Sequence, residues 1–73
     1  MSKNLSYEEF EELEVGDRIS VTRVDTEYRA VFEGFGLDGE GNEIISLYNE
    51  DASEDCSELV EGFGSDYTIY KGI

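Results

Sequence analysis

The chain has no histidine, a single cysteine, five Lys and Arg residues among 73, and no long apolar run. Each shortage excludes something. Without histidine, neither a Ser-His nor a Cys-His pair can be assembled, which removes the commonest ways of activating a nucleophile. Cys56 cannot form a disulfide within the chain, and Glu54, Asp55 and Glu58 beside it disfavour the thiolate. It reads as a small packing residue, and a cytoplasmic location is expected, that of a host cell if the chain is viral. The apolar runs are far too short for a membrane-spanning helix. The opening Met-Ser-Lys-Asn-Leu-Ser lacks the apolar stretch of a secretory signal.

The scarcity of bases matters most. Nineteen acids against five bases give a formal charge of −14. Residues 1–29 hold eight acids and four bases (Lys3, Arg18, Arg23, Arg29), whereas residues 30–70 hold eleven acids and no base. Direct binding to nucleic acid or to an anionic membrane is therefore not expected, because phosphate contacts need Lys and Arg. Nine aromatic residues argue for a compact fold, since disordered acidic segments are poor in them. At this length the chain is one domain.

Local signals outline the elements. Ser6 and Glu9 fit a capping box, with Leu5 and Phe10 at the positions of a hydrophobic staple. A helix over Tyr7–Glu14 follows, burying Phe10 and Leu13 and ending at Val15-Gly16. Arg18–Val24 and Tyr28–Leu37 read as strands joined by Asp25-Thr26-Glu27, the second bent at Gly34 and Gly36. Asp38–Asn42 is a turn, Glu43–Asn49 a third strand, and Tyr67–Tyr70 the last. Ala52, Cys56, Leu59 and Val60 have the spacing of an amphipathic helix, with Asp51 as cap. The segment Val31–Asp38 is echoed by Leu59–Asp66, which shares its Glu-Gly-Phe-Gly tetrapeptide. The favoured reading is a short helix over Ala52–Glu58 running into a fourth strand near Leu59–Phe63. The fold class is mainly β with short helices (α+β): an N-terminal helix, then a small bent antiparallel barrel of four or five strands in an SH3-like or Sm-like layout.

Motifs with possible chemistry yield to simpler readings. The Gly-x-Gly pairs at 34–36 and 62–64 lack a third glycine and a following base, so they mark bends rather than phosphate loops. Asp38-Gly39-Glu40-Gly41-Asn42-Glu43 resembles the start of a calcium loop but lacks the required Gly and Glu, which points to a hairpin turn. Paired carboxylates can do acid–base work only across a substrate cleft, for which the chain is small. No catalytic residue, metal or cofactor is expected.

The acids Glu50, Asp51, Glu54, Asp55, Glu58 and Glu61, supported by Glu8 and Glu12, form the candidate binding surface. On a helix several of them stack at i, i+4, a destabilising arrangement that suggests selection for something other than stability. A compact chain of this length spans about 30 Å, a stretch over which duplex DNA carries about eighteen charges. The chain can thus fill a groove built for nucleic acid. The leading expectation is a polyanion mimic, a small inhibitor of the kind viruses use against defence or restriction systems, occupying a basic nucleic-acid-binding protein. One alternative is a halophile's barrel whose acidity serves solubility in salt, with function in a patch around Tyr48, Phe63 and Tyr70. Thirteen Glu against six Asp, and only two Ala, run against it. Another is an acidic adaptor on a basic partner. An exposed terminal strand leaves monomer and homodimer both open.

Overall fold

The computed structural model describes residues 4–71. The order of elements is α1 (Tyr7–Glu11), β1 (Arg18–Arg23), β2 (Glu27–Leu37), β3 (Glu43–Asn49), β4 (Glu54–Leu59), a 3-10 turn (Val60–Gly62) and β5 (Tyr67–Tyr70). The five strands make one antiparallel sheet in the order β4-β3-β2-β1-β5.

The capping box forms as the sequence implies. The Glu9 backbone N–H donates to Ser6 Oγ at 3.2 Å, and the Ser6 N–H donates to Glu9 Oε1 at 2.9 Å. The helix stops earlier than expected, at Glu11 rather than Glu14, with Glu12 as its C-cap. Its last turn holds acids and no base, the wrong charge for the carbonyl end of a helix. Packing sustains the single turn that remains. Phe10 is fully buried, stacked on Phe63 with centroids 4.2 Å apart and edge-on to Phe35 at 5.5 Å.

Alternation along the strands builds the core. Ile19 and Val21, Ala30 and Phe32, Ile45 and Leu47, and Tyr67 and Ile69 point to one side and are buried. β2 is long enough to serve two neighbours, pairing with β1 through residues 27–31 and with β3 through residues 30–37. Within the β2–β3 pairing the register shifts at Glu33, and Gly34 adopts φ +135°, a conformation that a side chain would strain. This bulge bends the sheet around its core.

The expected barrel does not close. Closure requires β4 to pair with β5, but the outer edge of β5 is already used. The Leu5 N–H donates to the Ile69 carbonyl at 2.7 Å, and Asn4 bridges Tyr70. Across the seam Tyr67 Oη donates to the Leu59 carbonyl at 2.8 Å, and the turn after β4 meets β5 through the Gly64 N–H, which donates to the Tyr67 carbonyl at 2.7 Å.

The second departure lies in residues 52–63. The expected helix over Ala52–Glu58 is strand β4, and the expected strand near Leu59–Phe63 is a 3-10 turn. The free edge of β3 offers this segment a ladder of backbone hydrogen bonds over Ile44–Asn49. The strand also relieves the acids. Four residues apart, Glu54 and Glu58 lie about 13 Å apart along a strand, against about 6 Å on a helix. The tetrapeptide echo has no structural counterpart: its first copy is a bulged strand and its second a tight turn. There a Cβ on Gly62 would meet Asp66 Oδ2 at 2.8 Å, so the exposed Asp66 side chain would have to turn aside.

Candidate functional site

Strand parity sorts the acids of β4. Cys56 and Glu58 stand opposite the core residues Leu47 and Ile45, so they face the interior side of the sheet. Asp55, Ser57 and Leu59 face outward, opposite Tyr48, Ser46 and Ile44.

Three of the eight expected contact residues are paired with arginines of the same chain. Glu58 keeps only 14% of its side chain exposed, pairs with Arg23 of β1, and accepts the Tyr28 hydroxyl at 3.0 Å. Cys56 Sγ lies 3.7 Å from the same hydroxyl, and burial pushes both the Tyr28 hydroxyl and the Cys56 thiol up in pKa. Asp51 takes the fork of Arg29 at 2.9 and 3.1 Å and also accepts the Arg29 backbone N–H at 3.0 Å. These bonds, the backbone one foremost, hold its carboxyl below the usual range. Glu50 pairs with Arg18 at 3.4 Å. All three arginines therefore tie β1 and β2 to the β3–β4 hairpin. Lys71 pairs with Asp17 at 3.3 Å, so every Lys and Arg among the described residues is ion-paired.

The other five expected contacts divide between two places. Glu54 and Asp55 are exposed at the turn end of the β3–β4 hairpin. Asp55 crowds Glu33, whose carboxyl is raised above its ordinary range by partial desolvation and then by the Asp55 charge. Glu61 lies at the other end of β4 and lines a cleft of about 160 Å³ with Tyr7, Asn42, Glu43 and Val60. Glu8 follows Tyr7 on α1, and Glu12, also exposed, caps it. The cleft is smaller than the pockets that enclose small-molecule ligands. Tyr7, Phe35, Leu37 and Leu59 are exposed apolar residues of this end.

Sequence reasoning missed Glu33, Glu43 and the structural part of Glu58. Glu33 was legible only as the neighbour of a bend. Nothing in the sequence pairs Glu58 with Arg23, since 35 residues separate them. Asp38 is a turn residue: its Oδ1 accepts the N–H groups of Glu40 and Asn42 at 2.8 and 2.9 Å, which lowers its pKa. Among the described residues no group of three or more Cys, Asp or Glu is placed to hold a metal ion. No helix among them is long and apolar enough to cross a membrane. Compared with protein-family models, curated proteins and solved structures, the chain matches none.

Proposed function

We propose that this chain is a non-enzymatic binding protein that engages a basic protein surface by imitating a polyanion, displacing nucleic acid from a protein that binds it. One observation carries the reading. Every described Lys and Arg side chain has a carboxylate partner within the chain, so no described base stands apart to oppose the surplus of acid on the surface. With Glu9 taken up by the capping box, fourteen carboxylates remain without a cation among the described residues. The molecule is 37 Å in its longest dimension, a length over which duplex DNA carries about twenty-two charges. A net charge of −14 is about two-thirds of that density. Such a surface releases the counterions of a basic groove much as DNA does, and the same field speeds encounter.

The contact face in this reading is Glu54, Asp55 and Glu61, with Glu8 and Glu12 in support, and the cytoplasm is its place of action. The strand order and the 3-10 turn before β5 support an SH3-like layout left open at its seam. The test is displacement of a labelled 20-base-pair duplex, or a labelled single-stranded RNA, from basic DNA- and RNA-binding proteins. Stoichiometric displacement by the wild type is expected, weakened about tenfold or more by combining Glu54→Gln, Asp55→Asn and Glu61→Gln. Absence of displacement across such a panel overturns the reading. Equal potency of the triple variant overturns the assigned face.

A further inference from the structure

The two edges of the sheet are not alike. At β5 the backbone is covered by residues 4–5. At β4 the outer edge of six residues, Glu54–Leu59, faces no other strand among the described residues, and the Tyr67 hydroxyl reaches it at the Leu59 carbonyl. Natural edge strands are usually blunted by lysine, proline or a bulge. β4 has none of these; its register with β3 runs unbroken from Asn49–Glu54 to Ile44–Leu59. Its protection is charge alone. Two copies meeting edge to edge would set Glu54, Asp55 and Glu58 against themselves, an arrangement that like-charge repulsion disfavours. The same charges attract a strand of opposite sign.

We propose that the β4 edge accepts an extended, basic segment of the partner as a sixth strand of the sheet. The inference rests on the reading that the partner is basic, and adds how it is held. Backbone hydrogen bonds to β4 supply affinity, and alternate side chains supply selectivity. On the outer face the added strand has its side chains beside Asp55, Ser57 and Leu59. The position facing Asp55 takes Lys or Arg. There it also neutralises the Glu33–Asp55 contact, in which two carboxylates crowd each other without a cation. The position facing Leu59, four residues away, takes an apolar side chain, because Leu59 is 40% exposed and pairs with Ile44 beneath it. Glu58 contributes little, being held by Arg23 and Tyr28.

The probe is a nine-residue peptide of alternating Thr and Arg with one Ile four residues from the central Arg. Its control is the same peptide with every backbone amide N-methylated, which keeps the charge but leaves no N–H on either edge to extend a sheet. Calorimetry at 0.15 M KCl should show the plain peptide binding about tenfold or more tighter than its control. Hydrogen exchange should show β4 amide protons slowed by the plain peptide only. Asp55→Lys should weaken the plain peptide by about tenfold while leaving the circular dichroism spectrum unchanged. Equal binding of the two peptides, or unaltered exchange along β4, overturns the edge proposal and leaves the basic-partner reading standing. Failure of the plain peptide to bind also overturns it, whereas the basic-partner reading fails only if nucleic acid is not displaced in the assay above.

Discussion

Replacing Glu58 with glutamine sets two electrostatic effects against each other, and the structure says which prevails. Removing any one carboxylate lowers the self-repulsion of a chain at −14. At a separation like the 11.3 Å radius of gyration, each like charge costs about 0.1 kcal/mol at 0.15 M salt. Summed over the net charge, one neutralisation gains up to about 1 kcal/mol, less in the expanded unfolded chain. Asp55→Asn, exposed and without a cation, should collect this gain. Glu58→Gln collects the same gain but weakens a charge-assisted bond to Arg23 at a site only 14% exposed, a loss of about 1.5–2 kcal/mol. The lower part of the usual range applies because Arg23 keeps 42% of its side chain in water. The shared gain cancels, so the two single variants should differ by roughly 1.5–2 kcal/mol, or about 6–16 °C in midpoint for a domain of this size. Thermal unfolding by circular dichroism measures the difference. At 1 M KCl the Debye length falls to about 3 Å. The Asp55→Asn gain should then vanish, while the Glu58→Gln loss persists. If Glu58→Gln is as stable as Asp55→Asn at both salt concentrations, Glu58 is an ordinary surface acid and its exclusion from the contact face is mistaken.

Four further outcomes follow from the same geometry. Phe10→Ala removes the ring stacked on Phe63 and should cost about 3–5 kcal/mol. Against a total stability of roughly 4–11 kcal/mol for this length, urea unfolding should show a large fall in midpoint, and a loss below about 1 kcal/mol would contradict the docking of α1. Gly34→Ala should cost about 1–3 kcal/mol through φ +135° alone, since nothing lies within 4 Å of the added Cβ. Gly36→Ala, equally open but without a positive φ, should be neutral or slightly stabilising by the same denaturant titration, and equal costs would discredit the bulge. Stability should peak near pH 4. Asp17, Asp38 and Asp51 have folded pKa values below 3.8, so their contribution is complete above that value and is lost as pH falls through their lowered pKa. Glu33 is raised above 4.5, so its contribution is complete below 4.5 and is lost as pH rises through its raised pKa. A midpoint that climbs steadily from pH 4 to pH 8 would refute the assignment. Finally, the protein should unfold cooperatively at 0.15 M KCl as well as at 3 M; folding only in molar salt would assign the charge to a halophilic solvent and remove the main support for mimicry.

What the sequence determined is what near neighbours determine. The capping box of Ser6 and Glu9, the bend at Gly34, the Asp38–Asn42 turn and the inward pairs Ile19/Val21 and Ile45/Leu47 each depend on residues a few positions apart, and each stands where the sequence puts it. Composition likewise determined the sign of the field, which no arrangement of nineteen acids and five bases can reverse. Tertiary structure decided the rest. Ala52, Cys56, Leu59 and Val60 carry a helical period, but the unfilled edge of β3 made a strand of that segment. The barrel is open where Asn4 and Leu5, not β4, occupy the outer edge of β5. The acidic cluster, continuous in sequence, was divided in space into acids paired with arginines and acids without a cation among the described residues. Which acid meets which arginine is a long-range contact, and the chain writes no local sign of it: Glu50, Asp51 and Glu58 differ from Glu54 and Asp55 only in where Arg18, Arg29 and Arg23 come to lie.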